Sequence, residues 1–288
     1  MTNHRLSWMD LDPDRIRAPF EAGQVGHQVL VFTETSSTID VARRVAKDPT
    51  SAGTVIVADH QTAGRGRHGR DWHSPAGSGL WVSAILDLDE SASGVCSRCG
   101  WLSILMTMSI IEALRQLGWV ALGVRWPNDV VDQARGRKLC GALAEVLEGV
   151  QQGSGLRRAI LSFGLNVDHA QSDEFPEDVR ASAVSLRILA QEAGLECDRT
   201  RAEILIQILH RLNGLLTNPP KEWMPYWSRY SVLDGAMVQV RSGGREWQGQ
   251  AIGLERDGSL VMRLSGGRQK TFQSGDVDFL RPLPGGQP

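Results

Sequence analysis

The chain has 288 residues, 41% hydrophobic and 22% charged, with a formal net charge of −2. That length suits one large domain plus a small one, and the near-neutral balance excludes the basic excess of a dedicated nucleic-acid binder. Four cysteines (Cys96, Cys99, Cys140 and Cys197) are too few for a disulfide framework, and no apolar run is long enough to cross a membrane, so the expectation is a cytoplasmic protein with free thiols.

Residues 1–28 are read as an N-terminal extension. They show no clear periodicity, are too short and polar for a helix-turn-helix domain, and are charged and broken by Pro13 and Pro19, unlike a signal peptide. Val29–Phe32 reads as a strand. Ser37 with Asp40 forms a capping-box pattern, and Ile39, Ala42 and Val45 follow at helical spacing. Ser37 and Thr38 are thus either a plain helix cap or a hydroxyl pair facing a polar ligand at a helix start, and both readings can hold.

Thr54–Ala58 and Leu80–Leu86 read as buried strands on either side of Ala63-Gly64-Arg65-Gly66-Arg67-His68-Gly69-Arg70-Asp71-Trp72. Three glycines give backbone freedom and free N–H groups, and three arginines give fixed positive charge with forked donors. Such a segment is either a disordered nucleic-acid tail or a mobile loop that encloses an anion. Core-like flanks and a single basic block favour the loop.

A helix is predicted from about Cys99 to Leu117, with an apolar stripe through Leu102, Leu105, Ile110 and Leu114 and a stop at Gly118. Cys96-x-x-Cys99 is half of a zinc pattern without a second half. Val120–Val124 reads as a strand ending in Arg125-Trp126-Pro127-Asn128-Asp129. Asn128 and Asp129 are either turn residues or oxygen ligands for a metal-bound phosphate. Lys138 stands at the mouth of the apolar run Ala142–Leu147, where it is either a solvated charge or a cation facing a site, and Gly141 allows close approach. Ala159–Val167 is a strand with Gly164 inside it. Helices follow over about Val184–Ala193 and, from the capping box Thr200-x-x-Glu203, through Leu215; Trp223 to Tyr230 form a short aromatic helix. From Asp234-Gly235 short β runs alternate with turns, including an exposed hairpin at Asp257-Gly258, and predict a small separate β-barrel with a frayed tail after it.

In order, Ser37-Thr38, Gln61 to Trp72, Trp126-Pro127-Asn128-Asp129, Lys138 to Leu143 and Phe163 to Val167 resemble the biotin–protein ligase family. The resemblance runs from about Val29 to Leu280. It implies an α+β fold: a mixed-sheet catalytic domain over 29–233, like that of class II aminoacyl-tRNA synthetases, then a small SH3-like barrel over 234–283 and a tail over 284–288. Without an amino-terminal DNA-binding domain, the chain resembles the monofunctional subgroup.

The implied reaction activates biotin with ATP and Mg²⁺ to biotinyl-adenylate. It then transfers biotin to a lysine of a biotin carboxyl carrier domain, such as that of acetyl-CoA carboxylase, with no nucleic acid or membrane partner. The enzyme would be a monomer or a homodimer. By resemblance, Lys138, Arg65 and Arg67 are catalytic. Ser37, Thr38, Gln61, Gly64 and Gly141 bind biotin with them. Arg67, Arg70, Trp72, Asn128, Asp129, Gly164 and Asn166 bind the adenylate, and Asp129 is the Mg²⁺ ligand. Two positions depart from the family: Ile39 replaces the usual Asn, and Arg125 replaces the usual Lys. The alternatives are a lipoate or octanoate ligase or transferase of the same fold, and a nucleic-acid binder using the arginine loop.

Overall fold

The unbroken apolar run near Thr54 becomes β2 (Thr54–Gln61), buried up to its last two residues, and the strand before it is β1 (Gln28–Thr35). In the computed structural model, which describes residues 10–88, 99–147 and 157–280, β1 and β2 pair in parallel through the crossover helix Thr38–Val45. The remaining neighbours in this sheet are antiparallel. They are β3 (Gly79–Leu88), β4 (Leu122–Arg125), β5 (Asp129–Asp132), β6 (Lys138–Leu147) and β7 (Arg157–Asn166), and the sheet order is β1-β2-β3-β7-β6-β5-β4. This is the mixed sheet that the resemblance implies.

The helix Cys99–Gln116 differs from its predicted stripe, because it is buried on nearly every side from Trp101 to Leu114. The sheet lies on one side of it, and the helix Arg201–Thr217 lies against another. Its polar residues tolerate burial because their hydroxyls return to the helix's own carbonyls: Thr107 to Ile104 O at 2.7 Å and Ser109 to Leu105 O at 2.9 Å. The Thr200–Glu203 capping box forms as read. The one at Ser37 does not. Ser37 caps Ile39 N at 3.3 Å, but Asp40 turns away to Arg43 and Arg65. The N-terminal segment is also more ordered than expected, with a helix Pro13–Arg17 capped by Asp12. It is tied down by the buried Arg201, which holds Asp10 at 2.9 Å and Asp59 at 2.6 Å. No helix among the described residues is long and apolar enough to cross a membrane.

The C-terminal region is a five-stranded antiparallel sheet in the order β11-β10-β9-β8-β12. Its strands are β8 (Met237–Ser242), β9 (Arg245–Leu254), β10 (Leu260–Leu264), β11 (Gln269–Phe272) and β12 (Asp276–Phe279). Among the described residues β11 and β12 do not pair with each other, so the sheet is not closed through them. The polar alternation Asp276-Val277-Asp278-Phe279 lies beyond the β runs predicted from the sequence, yet it is a strand. It becomes one because Val277 turns into the core. The Asp257-Gly258 hairpin is less exposed than its turn chemistry implies: Gly258 is packed so that a Cβ there would meet Trp101 N at 2.9 Å, and Trp126 Nε1 donates to Gly258 O at 2.8 Å. The core is accordingly shared, with Val238, Leu260 and Met262 in one cluster with Trp101 and Trp126. Cys96, the expected tail and residues 1–9 lie outside the described residues.

Candidate active site

The arginine loop folds back on itself as a hairpin. Trp72 N donates to Gly64 O at 2.9 Å and Gly66 N to Arg70 O at 2.7 Å. Gly64 is required by this packing: a Cβ there would lie 2.4 Å from Trp72 O and 2.6 Å from Ser74 Oγ. The loop covers the face of the sheet on which the Thr38–Val45 helix packs, and between them lies a cavity of about 1110 Å³. Every predicted site residue lines it: Ser37, Thr38, Gln61, Gly64, Arg65, Arg67, Arg70, Trp72, Asn128, Asp129, Lys138, Gly141, Gly164 and Asn166. Ile39 and Arg125 line it too, as do Asp276 and Asp278 from the C-terminal sheet.

One end of the cavity is polar and almost uncharged. Gln61 Oε1 accepts from Thr38 N at 2.9 Å and from Thr38 Oγ1 at 3.3 Å, and Gln61 Nε2 donates to Ser74 Oγ at 2.9 Å. The other end is cationic, and each of its cations is held by a partner. Lys138 Nζ lies 2.7 Å from Asp129 Oδ1, and Arg125 Nη2 lies 3.0 Å from Asp129 Oδ2. Burial alone would raise the pKa of Asp129, but Lys138 and Arg125 outweigh it and hold the carboxyl below its ordinary range. Arg67 Nη1 donates to Gly275 O at 3.1 Å and to Asn128 Oδ1 at 3.3 Å. Burial pulls its guanidinium below the usual value, against the pull of Asp276 and Asp129. Arg65 pairs with Asp40 at 2.8 Å and Arg70 with Asp276 at 2.7 Å.

Asn128 is clipped to β6, its Nδ2 donating to Ala142 O at 2.7 Å, and so its oxygen is aimed at Arg67. Trp72 rests on two glycines that face each other across β6 and β7, Gly141 and Gly164. A Cβ at Gly164 would lie 2.4 Å from Trp72 Nε1, and Lys138 Nζ is 5.1 Å from the ring centroid. Asn166 Nδ2 donates to Val184 O at 3.1 Å and so ties the end of β7 to the segment beyond it. Among the described residues no group of three or more His, Cys, Asp or Glu is placed to hold a metal ion.

Several site residues were missed from sequence. Asp40 and Asp276 hold the loop's arginines, and Ser74, Ser83 and Ser162 extend the polar end. The signal for the two strand serines was a small hydroxyl interrupting an apolar run. His169 is buried under the cavity wall, stacked on Phe175 with ring centroids 4.2 Å apart, and neither ring nitrogen has a partner. Burial, aided by His73, pushes its pKa down to about 4.

A model described as the biotin/lipoate A/B protein ligase family matches residues 31–156, and one described as the biotin protein ligase C terminal domain matches residues 235–280. The chain is 33% identical to a biotin–[acetyl-CoA-carboxylase] ligase of Mycobacterium tuberculosis, over 94% of this chain and 99% of that protein. It is 28% identical to the bifunctional ligase/repressor BirA of Bacillus subtilis, over 93% of this chain and 79% of that protein. Among solved structures, it is similar to a biotin protein ligase from Aquifex aeolicus in complex with biotin and ATP. The TM-score is 0.68 and the identity 25%, over 88% of this chain and 99% of that one.

Proposed function

The chain belongs to the biotin–protein ligase family, and from this we infer that it ligates biotin to a carboxylase carrier domain at the expense of ATP. The observation that carries the reading is one shared cavity: an uncharged hydrogen-bonding end at Thr38 and Gln61 faces a cationic end at Lys138 and Arg67. A ligand with a polar uncharged ring at one end and a carboxylate at the other suits that polarity.

In the first half-reaction the biotin carboxylate attacks the α-phosphorus of ATP. An acyl–phosphate bond forms, the α–β bond breaks, and pyrophosphate leaves. Two anions must approach each other, so positive charge is needed where they meet. Lys138, held by Asp129, supplies a point charge between them, and Arg65 and Arg67 cover the carboxylate and phosphates. Ser37, Thr38 and Gln61 orient the urea ring, while Gly64 and Gly141 leave it room. Arg70, Trp72, Asn128, Gly164 and Asn166 border the nucleotide. In the second half-reaction the ε-amine of a carrier lysine attacks the acyl carbon, an amide forms, and AMP leaves.

A Mg²⁺ ion travels with ATP phosphates. Both carboxylate oxygens of Asp129 already face cations, so it would serve as a metal ligand only by releasing Lys138. The C-terminal sheet, whose Asp276 and Asp278 reach the cavity, belongs to the SH3-like unit of this reading and borders the nucleotide. Residues 29–233 form the catalytic unit. Free thiols at Cys99, Cys140 and Cys197 suit a cytoplasmic location.

The test is ATP–pyrophosphate exchange by the pure protein. Exchange that depends on biotin is the expected result. Exchange that depends on lipoate instead would move the chain to the related acyl ligases. No exchange with either, alongside salt-sensitive nucleic-acid binding, would overturn the reading.

A further inference from the structure

Each hydroxyl in a buried chain has one proton to give, so one fixed donor sets the direction of the whole chain. Here the fixed donor is the backbone N–H of Thr38, which meets Gln61 Oε1 at 2.9 Å. A backbone N–H only donates, so this atom of Gln61 is its carbonyl oxygen. That oxygen only accepts, and so the Thr38 hydroxyl, 3.3 Å away, gives its proton to Gln61. Thr38 in turn accepts from Ser83 at 2.9 Å. With its proton used, Ser83 accepts from Ser162 at 2.8 Å.

The proton of Ser162 is therefore committed to Ser83. Ser83 is fully enclosed, whereas Ser162, opposite it in the β3–β7 register, lines the cavity. What Ser162 presents to a ligand is lone pairs alone, and the group that meets it must be a donor. Gln61 is the complement. Its Nε2 gives one proton to Ser74 and keeps a second for a ligand acceptor. The polar end thus offers a donor and an acceptor in fixed places, and a cyclic urea carries a carbonyl oxygen flanked by N–H groups.

We propose that Ser162 is a specificity-determining residue that accepts a hydrogen bond from a ring N–H of biotin, with Ser83 and Thr38 locking its proton away from the ligand. This rests on the biotin reading of the cavity. A dithiolane ring has no N–H, and would leave the lone pairs of Ser162 buried without a donor. A site built around a polar partner rejects an analogue that lacks it more strongly than an apolar pocket rejects a change of size. The chain of hydroxyls thereby selects against the lipoate class as well as for biotin.

Calorimetry with biotin and its two mono-N-methyl urea derivatives tests the assignment. The unaltered protein should bind biotin, and methylation of one nitrogen should weaken binding about tenfold or more. Ser162→Ala should weaken biotin about tenfold and leave ATP affinity unchanged. It should also lose less with the analogue methylated at the nitrogen that meets Ser162. Ser83→Ala keeps the hydroxyl at 162 but frees its proton, and should reduce the discrimination between biotin and that analogue. If the unaltered protein binds biotin while Ser162→Ala binds it equally well, or weakens biotin and both analogues alike, the assignment fails and the biotin reading stands. Absence of biotin binding by the unaltered protein would overturn both. Should Ser162→Ala not fold, the analogues alone decide, since equal binding of biotin and both derivatives by the unaltered protein contradicts the assignment.

Discussion

Changing Asp129→Asn keeps the shape of the side chain and removes its charge. The carboxylate holds Lys138 at 2.7 Å and Arg125 at 3.0 Å, with its own side chain 15% exposed and theirs 30% and 22%. Removing one partner of a buried ion pair costs about 3–5 kcal/mol. Both cations keep some exposure to the cavity, which screens the loss to about 2 kcal/mol. With a slope of about 2–3 kcal/mol per molar urea, the unfolding midpoint should fall by roughly 0.7–1 M. The pair also sets a pH dependence. Because the folded carboxyl titrates below its ordinary range, its stabilisation is present above that range and is lost as pH falls through the folded value. Without its anchor Lys138 is no longer preorganised, and adenylate formation should fall about 10²-fold. Urea titration and pyrophosphate exchange at several Mg²⁺ concentrations are the assays. Anchoring predicts a defect that added Mg²⁺ does not repair, whereas rescue by Mg²⁺ would make Asp129 a metal ligand first. An unchanged midpoint with undiminished exchange would refute the reasoning.

Gly164→Ala places a methyl 2.4 Å from Trp72 Nε1, so the indole must leave its notch. Such overpacking costs about 1–3 kcal/mol, and the thermal midpoint should drop by several degrees; an unchanged midpoint would show that the ring does not rest there. Asp276→Ala removes the partner of Arg70, an exposed pair that adds little stability. Its effect should instead be on the loop, with faster tryptic cutting after Arg67 and Arg70 when empty and protection restored by biotin with ATP. Cutting at the rate of the unaltered protein would rule out the latch. His169 titrates near 4 when folded, against 6.5 for an ordinary imidazole. Between those values the unfolded chain binds more protons, so stability should decline by about 3 kcal/mol as pH falls from 6.5 to 4 and stay flat above. His169→Phe should remove most of that slope and leave a smaller one from His73, whose pKa burial also lowers, and a slope of equal size in the variant would assign it to other groups.

The sheet was legible wherever a strand is buried on both faces, as at β2 and β3, because such runs are continuous and apolar. The Thr200–Glu203 box was legible because capping is local. The residues proposed for the site were picked out by the order of their motifs, and one cavity collects them. Their partners were not legible. Arg70 and Asp276 are 206 positions apart, and nothing local in either tells of the other. Ser83 meets Ser162 only because β3 and β7 pair in one register, and a shift of one residue would send them to opposite faces. The Asp40 signal was misread for a similar reason: its spacing from Ser37 fits a capping box, but Arg43 and Arg65 offer it full charges.

Those partners divide the carboxylate-paired cations of the site into two kinds; Arg67 is held by neutral oxygens instead. Arg65 and Arg70 lie on the loop and are held by Asp40 and Asp276 through pairs whose arginines are 48% and 60% exposed. Pairs of that sort are worth about 0–1 kcal/mol and are screened by salt, so a substrate anion can replace the carboxylate at small cost. Lys138 is held by a buried carboxylate that also grips Arg125, and releasing it is several-fold more costly. On the proposed chemistry, Asp40 and Asp276 keep the loop's charges from repelling one another before substrate binds, and give way when phosphates arrive. Asp129 keeps Lys138 in place throughout. On the proposed chemistry the first arrangement suits a cover that must open for ATP and for the carrier lysine. The second suits the charge at which carboxylate and phosphate meet, because a preorganised charge costs no rearrangement at the moment of reaction.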